Sequence, residues 1–248
     1  MKRIFLFLYQ LFIWLPLFLI ITVITALTVA FGCILGGERF FGYYPGALWA
    51  KAVCVISLCS VKVTGSERLQ RNQSYIFVSN HQSAYDIFLV YGHIGQRIKW
   101  VMKKSLKKIP FVGFACDKAG FIFVDSSSKQ AAAQTVTDAE ERLRKGNSIV
   151  IFPEGTRSKT GQLGKFKKGA FQIALDLHLP VVPVTINGTL EVMPPGSFLL
   201  NPQHLEMIIH NPVPTDSIQI ADVREATVKI RDLSNKCKAE IEASLKEK

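Results

Sequence analysis

His81 and Asp86 stand five residues apart in the run Asn80-His81-Gln82-Ser83-Ala84-Tyr85-Asp86, which follows the apolar segment Ser74 to Ser79. That segment reads as a buried strand and Asp86 to Tyr91 as the helix after it. Across such a junction the carboxylate can reach one imidazole nitrogen, fixing the tautomer and leaving the other nitrogen outward as a general base. Open α/β sheets hold ligands at the carboxyl ends of their strands, where this pair would lie. The spacing by itself is weak evidence and fits Asp86 acting only as a helix cap better than it fits a catalytic pair.

A second constellation, Phe152-Pro153-Glu154-Gly155-Thr156-Arg157-Ser158, leaves another strand candidate, Ser148 to Phe152. Pro153 ends strand pairing, and Gly155 lets backbone amides approach a ligand. Arg157 offers a planar fork suited to phosphate, and Glu154 can hold a hydroxyl or a neighbouring cation. The plain alternative is a turn with a surface ion pair. Basic residues gather near both segments: Lys103, Lys104, Lys107 and Lys108 lie between Arg97 and Lys118, and Lys159, Lys165, Lys167 and Lys168 follow Arg157. Most charge runs are solvated faces. Trp100, Phe111 and Phe114 interleave the first one, which suits a lipid headgroup zone or single-stranded nucleic acid.

The elements that must position these groups alternate. Phe121 to Val124, Val181 to Ile186 and Leu205 to His210 are further strand candidates. Residues 129 to 145, with Val136, Ala139 and Leu143 on one face, and Gly169 to Leu177 read as helices. A last helix carries Ile230, Leu233, Cys237, Ile241 and Leu245 at spacings of three or four. Alternation of this kind predicts an α/β domain, a largely parallel twisted sheet flanked by helices.

Ahead of it lies an apolar front. From Ile4 to Gly37 no residue is charged, a run of roughly 50 Å as a helix against a hydrocarbon core of about 30 Å. Pro16 can kink it, and Gly32, Gly36 and Gly37 can end it. A second apolar stretch, Phe40 to Val61, is broken only by Lys51. The first run far exceeds the apolar region of a signal peptide. Residues 1–61 are therefore expected to form a membrane anchor of two helical segments, either both spanning or both lying in one leaflet, and residues 62–248 the α/β domain. Lys2 and Arg3 favour a cytoplasmic amino terminus. Two crossings, or none, keep the domain on the cytoplasmic face of the inner membrane.

The 248 residues leave room for one catalytic-sized domain and this appendage. A net charge of +11 directs the chain to negative partners, and an anionic membrane surface fits the apolar front where nucleic acid does not. Five cysteines with no CxxC pair argue against a disulfide framework or a zinc ribbon.

Asn80 to Asp86 followed by Phe152 to Ser158 resembles the HX4D and FPEGTRS motifs of the glycerolipid acyltransferases, the 1-acylglycerol-3-phosphate acyltransferases in particular. Lys103-Lys104-Ser105-Leu106 with Pro110 and Gly113 is similar to their intervening block, and Val181 to Ile186 to their fourth, so the likeness covers roughly residues 60 to 190. One position departs: Asp125 is followed by Ser126, where the family often has arginine. The resemblance implies acyl transfer from acyl-CoA or acyl carrier protein to the 2-hydroxyl of a lysophospholipid acceptor, 1-acylglycerol-3-phosphate, giving phosphatidic acid. It casts His81 as general base and Asp86 as its orienting carboxylate. Lys103 and Arg157 would bind the acceptor phosphate, with Glu154, Gly155 and Thr156 shaping the substrate loop. No metal or other cofactor is implied. The competing readings are acyl transfer to another lysolipid, such as an ornithine-linked one, and a non-catalytic module that binds anionic lipid. A lipid hydrolase is disfavoured, since the chain has no GxSxG elbow.

Overall fold

A computed structural model describes residues 2–124, 129–144, 146–215 and 223–247. Ser126 and its neighbours, where the sequence departs from the family pattern, lie outside the described residues, as does the side chain of Val136. The chain opens with α1 (Lys2–Tyr9), a π-helical turn (Gln10–Trp14) and α2 (Leu15–Ile34), which follow one another without a break. The widened turn, in which the Leu15 N–H bonds the Gln10 carbonyl, sits directly before Pro16. Proline has no N–H for the carbonyl four residues back, and its ring crowds the preceding turn. Gly36, at φ +87°, ends the helix in the left-handed region that a side chain disfavours.

Two short helices follow, α3 (Glu38–Phe41) and α4 (Tyr44–Ile56), and then the sheet begins. Its strands are β1 (Ser60–Thr64), β2 (Ile76–Ser79), β3 (Ile98–Lys103), β4 (Ile122–Val124), β5 (Ser148–Ile151), β6 (Val181–Asn187) and β7 (His204–Ile209). They lie in the order β1-β7-β6-β2-β5-β3-β4. Every neighbouring pair is parallel except β6 with β7. Parallel strands need crossovers, and α5 (Tyr85–His93), α6 (Val112–Lys118), α7 (Lys129–Arg144) and α8 (Gly169–Asp176) supply them. A short α9 (Thr189–Val192) follows β6, and α10 (Val223–Lys246) closes the chain.

The sheet is covered on both sides, which is why its central strands read as continuous apolar runs. Tyr75, Phe77, Val150 and Val182 face one cluster with Tyr85 and Leu89 of α5. Ile76, Val78, Ile149 and Val181 face the other, filled by Phe171 and Ala174 of α8 and by Ile230, Leu233, Cys237 and Ile241 of α10. Losing a fully buried aromatic such as Phe77 would cost about 3–5 kcal/mol.

The two apolar segments expected to form one anchor behave differently. The helix from Arg3 to Ile34 is long and apolar enough to cross a membrane, and only 22% of its most apolar window is buried. By contrast α4 has 13 residues, about 20 Å, short of a hydrocarbon core. Its Ala47, Ala50 and Cys54 join the cluster that holds Tyr85 and Leu89, so α4 packs as part of the α/β core and the packing has no break at residue 61.

The amino-terminal helix also stays beside the domain along its length. Near its start the Gln10 side chain donates from Nε2 to the Phe198 carbonyl and accepts from the Leu200 N–H (2.9 Å). Trp14 Nε1 donates to Ser57 Oγ (2.8 Å), which also meets the Tyr85 hydroxyl (2.7 Å). Near its end Ala26 and Val29 pack on Ala115 and Ala119 at α6.

Candidate active site

β2 and β5 are adjacent and parallel, with Ile76 beside Ile149 and Val78 beside Ile151. The residues that leave their carboxyl ends, 80–86 and 152–158, therefore emerge side by side. Asn80 fixes the first loop to the sheet: its side chain donates to the Ile186 carbonyl and accepts from the Ile186 N–H, each at 2.8 Å. The second loop is tied to the first by Glu154, whose Oε1 accepts from the His81 N–H (2.9 Å) and whose Oε2 accepts from the Gly164 N–H (2.8 Å). The Ser158 N–H donates to the His81 carbonyl (2.7 Å), closing the junction.

Within this frame His81 Nδ1 lies 2.7 Å from Asp86 Oδ2. Asp86 is fully buried at the start of α5, and the same oxygen accepts from the Gln82 N–H (2.6 Å) and the Ser83 N–H (2.9 Å). Three donors converging on one oxygen compensate the loss of water around a buried carboxylate. They also leave it acceptor-only toward the imidazole, so Nδ1 carries the proton and Nε2 keeps its lone pair. The His81 side chain is 16% exposed, and Nε2 has no partner among the described residues. The imidazole lies flat on Phe152, with ring centroids 4.0 Å apart and planes at 9°, and Trp100 backs Phe152 at 5.7 Å. An aromatic face against the ring restricts its rotation. This arrangement suits an imidazole that accepts a proton and later returns it.

The remaining sequence candidates sit at the rim. Gly155 has φ +74°, and a Cβ there would come within 2.4 Å of Lys167 Nζ, so the loop turns under the Lys167 side chain. Thr156 and Arg157 are exposed beyond that turn. Lys103 ends β3 and is exposed as well. Because Trp100 pairs with Val150, Lys103 stands level with the loop that begins at Phe152. Lys103, Arg157 and Lys167 thus stand in the segments around this opening, and none of them bonds the His81–Asp86 pair among the described residues. Both Glu154 oxygens hold backbone amides, and each retains a second lone-pair direction for a hydroxyl.

Sequence reasoning missed three contributors. Phe152 was visible in the motif without a role, because ring stacking depends on an approach that sequence does not give. Lys167 was grouped with a solvated charge run. Gln82, whose backbone holds Asp86 and whose side chain donates to the Gly161 carbonyl (3.2 Å), had no signal beyond its place next to His81. Among the described residues no group of three or more His, Cys, Asp or Glu is placed to hold a metal ion.

Residues 60–187, more than half of the chain, match the family model described as Acyltransferase. The chain is 37% identical over 178 residues to a chloroplastic 1-acyl-sn-glycerol-3-phosphate acyltransferase of Brassica napus, covering 71% of this chain and 51% of the relative. It is 34% identical over 195 residues to the 1-acyl-sn-glycerol-3-phosphate acyltransferase of Saccharomyces cerevisiae, covering 75% and 64%. The crystal structure of the 1-acyl-sn-glycerophosphate acyltransferase PlsC of Thermotoga maritima superposes with a TM-score of 0.77 at 25% identity over 98% of both chains. The chain spans about half the length of the Brassica relative and under two thirds of the yeast one. The matched region runs from the first residue of β1 to the last of β6 and encloses both loops that meet at His81, and on that ground the chain belongs to the Acyltransferase family.

Proposed function

We propose that this protein transfers a fatty acyl group from a thioester, acyl-CoA or acyl carrier protein, to the 2-hydroxyl of 1-acylglycerol-3-phosphate, producing phosphatidic acid. The observation that carries the reading is the 2.7 Å contact of His81 Nδ1 with Asp86 Oδ2, held beside the Glu154–Arg157 loop by the Glu154 bridge. His81 Nε2 takes the hydroxyl proton as that oxygen attacks the thioester carbonyl. Asp86 stabilises the imidazolium. Collapse of the tetrahedral intermediate expels the thiolate, which takes the proton back from Nε2, so His81 ends neutral. The acceptor phosphate is assigned to Arg157 and Lys103, and the glycerol backbone to the loop of Glu154, Gly155 and Thr156. The names of the Brassica and yeast relatives, 1-acyl-sn-glycerol-3-phosphate acyltransferases, and of the Thermotoga structure, a 1-acyl-sn-glycerophosphate acyltransferase, support the acceptor.

The apolar surface supports a lipid acceptor taken directly from a leaflet. Phe12, Ile20, Ile24 and Phe31 of the amino-terminal helix, Leu48 and Val55 of α4, and Leu106, Ile109, Phe111 and Phe114 before and within α6 are all exposed. Phe198, 84% exposed, extends this surface to the loop held by Gln10. The starts of β1 and β7 lie level with the carboxyl end of β6, as Asn187 pairs with Glu206, so this loop and Trp14 stand at the His81 end of the sheet. A helix fastened to the domain at both ends cannot cross a bilayer and leave the domain in water. The amino-terminal helix and the outer face of α4 are therefore assigned to one leaflet, on the cytoplasmic side where the polyanionic donor is found.

The direct test is His81→Ala, assayed with labelled acyl-CoA on a panel of lysolipids. Turnover should fall by on the order of 10²–10⁴ with the melting temperature kept. Near wild-type transfer by the variant would sink the mechanism, and preference for a lysolipid without phosphate would sink the acceptor assignment.

A further inference from the structure

The His81 site lies at the carboxyl ends of β2 and β5. At the opposite end of the sheet the chain forms a second concave site with a volume of about 350 Å³, lined by Arg39, Phe40, Tyr44, Asn72 and Arg97. Three separate segments build it. Arg39 and Phe40 belong to α3, with Tyr44 opening α4; Asn72 lies in the turn before β2; and Arg97 immediately precedes β3. No carboxylate among the described residues lines it. Among the described residues neither guanidinium has a carboxylate partner: Glu38, next to Arg39, turns instead to Lys99 (3.6 Å) and Arg142 (3.8 Å). Two unpaired guanidinium groups in one concavity repel each other and favour an anion between them, most of all one with several oxygens in the geometry of phosphate. Asn72, at φ +66°, holds a left-handed backbone and adds amide donors and an acceptor at the same opening.

The other wall names the rest of the ligand. The Phe40 and Tyr44 rings lie against each other with centroids 5.0 Å apart and planes tilted by 32°, and both are exposed. Leu48, one turn on from Tyr44 in α4, is exposed on the apolar surface assigned above to the leaflet, and Leu35, just past the end of α2, is exposed as well. A free anion would not use an aromatic wall that runs into a lipid-facing surface; an acyl chain below a phosphate would. We propose that this site holds the headgroup of an intact anionic glycerophospholipid of the surrounding leaflet, its phosphate between Arg39 and Arg97 and its chains along Phe40, Tyr44 and Leu48. The lipid is a bound neighbour and not a substrate, since the site is at the far end of every strand from His81. It would hold the end of α2 remote from the active site at the same membrane depth as the catalytic end.

The inference rests on the membrane placement of α2 and α4 and not on acyl transfer, so the test uses the full-length His81→Ala protein, which cannot remodel its lipids. Purified in uncharged detergent and titrated with phosphatidylglycerol or phosphatidylcholine, the protein is read by native mass spectrometry. The expected result is one phosphatidylglycerol retained per chain in preference to phosphatidylcholine. The added changes Arg39→Gln and Arg97→Gln should weaken that retention by on the order of tenfold to a hundredfold, from the loss of two charge-assisted contacts. Circular dichroism melting checks the fold, and Arg39→Gln alone serves if the double change unfolds. Equal retention with and without the arginines overturns the site. Equal retention of the two lipids also overturns it, while leaving the membrane placement standing. Complete displacement of phosphatidylglycerol by millimolar inorganic phosphate overturns the lipid in favour of a free anion.

Discussion

Asp86→Asn separates two things a carboxylate does for a histidine. Oδ2 accepts three hydrogen bonds, from His81 Nδ1 and the N–H groups of Gln82 and Ser83, while Oδ1 is buried with no partner among the described residues. An asparagine of the same shape can place its oxygen where Oδ2 was and its amino group where Oδ1 was. The reverse orientation would set an amino group against three donors. The His81 tautomer is therefore expected to survive the change, and only the charge is lost. With charge centres about 4 Å apart and an effective dielectric near 20, that charge is worth about 4 kcal/mol to an imidazolium, an upper limit since the ring edge reaches water. At about 1.4 kcal/mol per decade the expected fall in kcat is on the order of 10² to 10³. Reversal of the tautomer would cost about 10⁴. The assay is release of thiol from acyl-CoA in the presence of 1-acylglycerol-3-phosphate, with the melting temperature followed in parallel. A kcat within about threefold of wild type would show that the carboxylate charge does no catalytic work. A loss of 10⁴ or more in a folded variant would show that the hydrogen-bond frame around Oδ2 is not the one that sets the tautomer.

Other outcomes follow from the same geometry. Arg157→Ala should raise the acceptor KM more than it lowers kcat, because the guanidinium stands at the rim and away from the reacting atoms; a change confined to the donor KM would reassign it. Replacing exposed Phe12, Ile20 and Ile24 together by Glu should move the protein from the membrane fraction toward detergent-free supernatant, read by sedimentation, whereas unchanged sedimentation would remove these side chains from the lipid-facing surface. Burial pushes the His210 imidazole below its ordinary value, against the opposing pull of Glu240. The unfolded chain then binds the proton more readily than the folded one. Stability at this residue is full above the unfolded value of about 6.5 and is lost as pH falls through and below it. The melting temperature of His210→Gln should accordingly decline less than that of wild type on acidification across that window, and parallel curves would refute the linkage.

The strands that bear on the site were readable because the sheet is covered on both faces. Ile76-Phe77-Val78 had to be apolar without interruption and Val181 to Ile186 nearly so, with Thr185 the one polar residue, and they read as strands at once. β3 escaped notice for the opposite reason. Ile98-Lys99-Trp100-Val101-Met102-Lys103 carries two lysines inside a basic run and looks solvated, yet Lys99 is buried. Its Nζ donates to the Ala119 carbonyl and lies 3.6 Å from Glu38. Burial lowers the pKa of this lysine, partly offset by Glu38. A residue 61 positions away in sequence cannot be inferred from a window of ten. α4 was legible only in part: the composition of an apolar helix of 13 residues does not say that Ala47, Ala50 and Cys54 cover the core while Leu48 and Val55 stay exposed, and only its neighbours separate the two faces.

The chemistry of this protein is written locally. A histidine with an aspartate five residues on, and a Pro-Glu-Gly-Thr-Arg turn, supply the groups to which the proposed mechanism assigns proton transfer and phosphate binding, and both strings are short enough to read in sequence. Their meeting is not local. It requires β2 and β5 to be neighbours, which is decided by how the crossovers α5, α6 and α7 cover the sheet, and it requires Glu154 to find two amides that lie 73 and 10 residues away. Periodicity records which face of an element is buried but not which element buries it. Strand order, the flat contact of Phe152 with the imidazole and the convergence of Arg39 with Arg97 therefore came from tertiary packing alone.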